Sequence, residues 1–227
     1  MNQKIVPLFT TETAMWLVGI TDCNTKEFFA AHKAQYLEDV RQPFELLLAQ
    51  LAEEFGGTPF VFRPNRDVRF SPDKSPYKTN IAGYLADRPG TASATYIELS
   101  TAGLMAATGY HQMAADQLER YRSTLLTEDG HARGLELRRL LADAEHKDCT
   151  IGGEQLKTAP RGVDRDDENI DLLRYKSLTV SAKLPVEGVG ELAQAVAFVS
   201  ATWHAGQLVS AWLDRYVGKS LLPDRLS

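Results

Sequence analysis

Apolar residues keep a helical period as far as Phe55 and lose it at Gly56. Phe29, Leu37, Val40, Phe44, Leu48, Leu51 and Phe55 recur every three or four positions, with Lys33 filling the one gap. Such a stripe predicts a long amphipathic helix to about Glu54. Asn24, with Glu27 three residues on, reads as its N-cap and capping box. Pro43 falls inside the pattern and should kink or split the helix, and the Gly56-Gly57 pair ends it. Beyond the glycines the pattern shortens to β-prone pieces at Pro59–Arg63 and Asp67–Phe70, in which Val68 and Phe70 would share one face. A long helical stripe followed by short strands excludes an all-helical or all-β chain and predicts the α+β class.

The remaining elements fit that frame. Thr10 or Thr11 caps a short helix to about Ile20. Tyr77–Ala86, Ala94–Ser100 and Leu104–Tyr110, the last two joined through Gly103, read as hairpin-linked strands. Ser177–Leu184 is a further strand. Gln112–Leu126, Gly130–His146 and Gly188–Val217 read as helices, and Cys149–Asp171 as a long Gly-, Pro- and charge-rich connection of the kind that often carries function. The expectation is one α+β domain over residues 1–227, its core about 10–216 and its tail 218–227. An antiparallel sheet of four to six strands would pack with long helices.

Composition narrows the function classes. The formal net charge is −5 and the pI about 5.6, so a general nucleic-acid binder, which needs a dominant basic surface, is not expected. Cys23 and Cys149 are far apart and form no CxxC. They read as reduced thiols, which predicts a cytoplasmic protein. No apolar run suits a signal peptide or a membrane span. The five histidines show neither HxH nor HExxH spacing, so no metal site and no cofactor is implied.

Against that acidic background one stretch is basic. From Arg63 to Asn80 the chain carries Arg63, Arg66, Arg69, Lys74 and Lys78 against Asp67 and Asp73, a net +3 that leaves −8 for the rest. Phe70, Tyr77, Pro72 and Pro76 lie among these charges, unlike the lysine–glutamate runs that merely solvate a helix. The arginine forks suit phosphate or carboxylate. Lys74 and Lys78 supply compact charges, and Ser75 and Tyr77 hydroxyls. Lys157 and Arg161, flanking Pro160, and Lys176 are candidates to complete an anion pocket. The candidate ligand-binding set is therefore Arg66, Asp67, Arg69, Lys74, Tyr77, Lys78, Lys157, Arg161 and Lys176. Asp67 is the strongest general-base candidate, with Tyr77 or Lys78 as acid. Flanking arginines favour its ionised form, which suits orienting a group better than taking a proton, so no catalytic residue is assigned. The structural alternative is that Asp67 pairs with an arginine and Asp73 with a lysine, pinning a loop to the sheet.

Three sets of residues resemble a known family. The first is Arg66-Asp67-Val68-Arg69-Phe70-Ser71, Asp73-Lys74 and Pro76-Tyr77-Lys78-Thr79-Asn80. The second is Leu156-Lys157, Ala159-Pro160-Arg161-Gly162, Asp171-Leu172-Leu173-Arg174 and Lys176-Ser177. The third is Glu27-Phe28-Phe29 with Lys33, Tyr36 and Pro43. Over roughly residues 10–216 the chain resembles domain-of-unknown-function family 2461. Family members typically carry Trp before the Phe and a basic residue where Pro72 stands. Here Phe28 and Pro72 replace them. The resemblance implies a single α+β domain in a soluble protein and no particular activity.

The expected function is binding of a phosphate- or carboxylate-bearing small molecule at the 63–80 stretch. The alternative is an interaction or regulatory module whose basic stretch docks an acidic segment of a partner protein. RNA binding at a local patch is disfavoured by the net charge.

Overall fold

The computed structural model describes residues 7–69, 71–185 and 190–223. Phe70, Gly188 and Val189, and the tail beyond Pro223, fall outside the described residues. Six strands make one antiparallel sheet: β1 (Thr58–Val61), β2 (Ile81–Ala86), β3 (Ala94–Ser100), β4 (Gly103–Tyr110), β5 (Thr150–Gly152) and β6 (Leu178–Leu184). Their order is β1-β2-β3-β4-β6-β5, so β1 and β5 are the outer strands. With the helices around it, this is the α+β fold expected from the period change. The residues cluster into two compact units. The first comprises 1–89, 96–106 and 183–201, and the second 90–95, 107–182 and 202–227.

In the first unit the helical stripe does not form one helix. Lys26–Ala31 (α2) and Lys33–Gln35 (α3) lead into a π-helical turn at Tyr36–Arg41, and only then into α4 (Gln42–Phe55). Pro43 is the physical reason. It sits at the start of α4 and has no N–H for the carbonyl of Asp39, four residues back. The backbone widens instead, so that Gln42 N–H donates to Leu37, five residues back. The freed Asp39 carbonyl accepts the Thr13 hydroxyl at 2.6 Å, from α1 (Thr11–Asp22). Thr13 is 2% exposed, so a Thr13→Val chain keeps the shape and strands that carbonyl. We expect a loss of about 1–3 kcal/mol in urea unfolding, the penalty for one buried unsatisfied acceptor.

The N-cap also moves. Thr25, not Asn24, caps α2, its hydroxyl accepting Phe28 N–H at 3.1 Å, because the Asn24 amide is engaged elsewhere. The apolar positions behave as the stripe requires. Val40, Phe44, Leu48 and Leu51 are fully buried, and α4 packs on β1 and β2. Leu37 is the exception at 40% exposed, since the π turn rotates it off the stripe. Asp67, Val68 and Arg69 lie in a loop and not in the expected strand, whose last residue, Phe70, is outside the described residues.

The second unit holds α5 (Ala115–Leu126), α6 (Gly130–Glu145), α7 (Ile170–Leu173) and α9 (Gln207–Tyr216). Its core includes Tyr121, Leu125, Leu137, Leu172, Leu178, Val209, Trp212 and Leu213. The long C-terminal helix expected from the sequence is two helices, α8 (Leu192–Ala205) and α9, parted at Gly206. A Cβ at Gly206 would lie 2.4 Å from Thr108 Cγ2 and 3.0 Å from Val180 Cβ. The chain passes too close to β4 and β6 there for any side chain. Asp214 of α9 gathers the Thr91–Ser93 turn and Tyr110 around its carboxylate.

Both cysteines are free thiols, Cys23 exposed and Cys149 buried. Among the described residues no helix is long and apolar enough to cross a membrane.

Candidate functional site

Three backbone contacts close the base of the 63–80 stretch. Arg66 N–H donates to Pro76 at 2.9 Å, Lys78 N–H donates to Pro64 at 2.8 Å, and Asn65 bridges to Tyr77. Prolines at 64 and 76 supply carbonyls and no competing donors, so pairing stops there and the residues between form a loop. A distant clasp secures it. The Asn24 carboxamide donates to Tyr77 O at 2.9 Å and accepts Tyr77 N–H at 3.0 Å, and the Tyr77 ring stacks on Phe29 at 4.2 Å.

Most of the loop's charges are matched inside it. Asp67 accepts the backbone N–H of Arg69 at 3.1 Å and its guanidinium at 2.6 Å. Those bonds hold the carboxyl at about 2, well under its ordinary value. Asp73 accepts the Ser75 hydroxyl and the Ser75 N–H and pairs with the Arg66 guanidinium, which together keep its carboxyl far below the usual range. The pairing of Asp73 is thus with an arginine, not a lysine. Lys74 donates to the Val68 carbonyl at 2.9 Å. Asp67, locked on Arg69, is built to hold that arginine rather than to take up a proton.

Lys78 is different. Its half-buried ammonium lies 4.9 Å from the centroid of the Phe62 ring, a cation–π contact. Burial, and then the charge of Arg63, push its pKa below the ordinary lysine value. Arg63 itself is exposed, and its charge reaches Asp67 as well as Lys78. Among the described residues no carboxylate pairs with either Arg63 or Lys78. Phe62 belongs to a three-ring cluster with Phe60 and Tyr84, with centroids 4.9 to 5.5 Å apart.

Lys157, Arg161 and Lys176 belong to the second unit. Lys176 pairs with Glu154. Lys157 is exposed, next to Leu156, whose backbone is held from both sides by Arg174, at 2.8 and 2.7 Å. Arg161 lies on a turn beside α5. Sequence reasoning passed over three participants. Arg63 was counted as charge and not as a site residue. Phe62 carried a signal, an aromatic immediately before a basic residue. Asn24 gave none, because its partner lies 53 positions away.

A family model described as a conserved hypothetical protein (DUF2461) matches residues 12–212. The chain belongs to the DUF2461 family. No curated protein and no solved structure matches it. The match runs through the clasp, the loop and the 156–176 segment, so DUF2461 membership covers every candidate residue named above.

Proposed function

We propose that this DUF2461 protein binds a phosphate- or carboxylate-bearing small molecule between Arg63 and Lys78, at the base of the charged loop. One observation carries the reading. Arg66 and Arg69 are balanced by Asp73 and Asp67, whereas Arg63 and Lys78 repel each other and neither has an ion-pair partner among the described residues. An oxyanion there would satisfy both cations, and the Phe62 ring would exclude water from one side. The matched pairs then have a supporting role: they hold the loop in the shape that brings Lys78 over Phe62 and beside Arg63.

The test is thermal unfolding against phosphates, nucleotides, sugar phosphates and carboxylates. A ligand at a hundred times its Kd adds about 2.7 kcal/mol, a rise of roughly 5–11 °C at this chain length. Lys78→Gln keeps much of the stem over Phe62 and removes the charge, so it should abolish the rise and leave the unliganded Tm within a few degrees. If no anion shifts the wild type, the reading fails. The exposed Phe60 on outer strand β1 then favours the other reading, in which the same surface docks an acidic peptide segment.

A further inference from the structure

The second unit carries a cleft of about 380 Å³ between α5 and the turn Pro160–Val163. Its apolar lining includes Leu118, Leu126 and Val163, and two arginines also line it, Arg122 from α5 and Arg161 from the turn. That volume lies at the small end of ligand sites, which are mostly apolar with a few placed polar groups. The turn is closed by Val163 N–H donating to Pro160 O at 3.1 Å, with Gly162 at φ +81° in its third position. That is left-handed backbone, which glycine adopts without strain. Arg161 takes the second position of that turn, which lines the cleft together with α5.

Neither arginine is used up by the fold. Arg122 donates Nε to Leu173 O at 3.3 Å, which orients the guanidinium and leaves its two terminal nitrogens without a protein acceptor among the described residues. Partial burial also holds its pKa under the ordinary arginine value. Arg161 is exposed and has no hydrogen-bond or ion-pair partner among the described residues. Two arginines among apolar lining residues match an oxyanion attached to an apolar body. Glu119, also in the lining, adds a negative charge to the cleft and disfavours a polyanion such as nucleic acid.

We propose that this cleft is a binding site for a small organic anion, a carboxylate or phosphate monoester carrying a compact apolar group, with Arg122 and Arg161 on the oxyanion and Leu118, Leu126 and Val163 around the apolar body. The site is independent of Arg63 and Lys78, and neither proposal needs the other.

The probes are 4-phenylbutyrate and phenyl phosphate, titrated into the full chain while backbone amide NMR signals are followed. The neutral 4-phenylbutyramide and inorganic phosphate serve as controls. The expected result is saturable shifts at residues 115–126 and 160–163 with at least one of the two anions. Each control should bind about tenfold more weakly or worse, since each lacks half of the recognition. The stronger of the two names the head group. Arg161→Gln, on an exposed turn, should weaken binding about tenfold with the fold intact, and Arg122→Gln should do the same. Absence of shifts in these segments overturns the proposal. So does equal binding of the amide, or an Arg161→Gln chain that binds like the wild type.

Discussion

Asp214→Ala will cost the protein about 2–4 kcal/mol, because several enclosed N–H and O–H donors lose one shared acceptor. One carboxylate does the work of a small network. Its Oδ1 accepts Ala92 N–H at 3.0 Å, Ser93 N–H at 3.0 Å, the Ser93 hydroxyl at 3.1 Å and the Tyr110 hydroxyl at 3.0 Å. Its other oxygen accepts the Thr91 hydroxyl. Ser93 is 5% exposed and Tyr110 4%, while Asp214 itself is half-buried, so water replaces only part of what alanine removes. Burial, and then the Asp214 charge, push the Tyr110 phenol well above its ordinary value, which keeps it a donor at any pH the fold withstands. Urea unfolding of Asp214→Ala should show a lower midpoint, and a thermal scan a fall of roughly 4–16 °C. Asp214→Asn retains one acceptor oxygen and should fall between alanine and wild type. A change under 1 kcal/mol for the alanine variant would mean that the turn is held by something else.

Asn169→Ala will cost about 2–4 kcal/mol, and a paired substitution will show why. Asn169 is 1% exposed. Its Nδ2 donates to Leu125 O at 3.1 Å, near the end of α5, and to Gly130 O at 3.0 Å, at the start of α6. Its Oδ1 accepts from Arg138 at 3.1 Å. Alanine takes that donor from both carbonyls, whereas Arg138 keeps Asp171 and the Glu168 carbonyl. Gly134, inside α6, explains how the asparagine fits: a Cβ there would lie 1.9 Å from Asn169 Oδ1. Gly134→Ala alone should therefore be destabilising to a similar degree, by evicting the side chain. In the Asn169→Ala background that clash is gone. The same Gly134→Ala change should then be neutral or stabilising by up to about 1 kcal/mol, because alanine is the better helix former. The reversal of sign is the signature of direct coupling. If the two losses add, Gly134 acts through some other contact.

What the sequence could tell depended on whether the deciding partner was near in the chain. Phe44, Leu48 and Leu51 announced a buried helical face through their own spacing, and β3 and β4 through hairpin-linked β-prone runs parted by Gly103. The π turn was announced only as trouble at Pro43, since the hydroxyl that compensates it belongs to Thr13, 26 residues away. Asn24 has the side chain of a helix cap and spends it on Tyr77. Gly206 sits inside an unbroken amphipathic pattern, and only the approach of Thr108 and Val180 shows why the helix must stop. The charged loop was legible as a place. Its internal arithmetic was not: Asp67 and Asp73 take Arg69 and Arg66, and the net +3 is left on Arg63, Lys74 and Lys78, of which Lys74 donates to the Val68 carbonyl.

The outer strands bear on how the folded protein behaves when crowded by copies of itself. A sheet edge is a template for another chain, and its danger grows with the length of the open row of amides and carbonyls. Here β1 has four residues and β5 three. Pro59 removes one donor from the first, and glycines at 152 and 153 close the second. An incoming strand would find too few hydrogen bonds to offset its lost freedom. Fibril seeding should therefore require prior unfolding, and turbidity at high concentration should track the unfolding temperature rather than protein concentration alone.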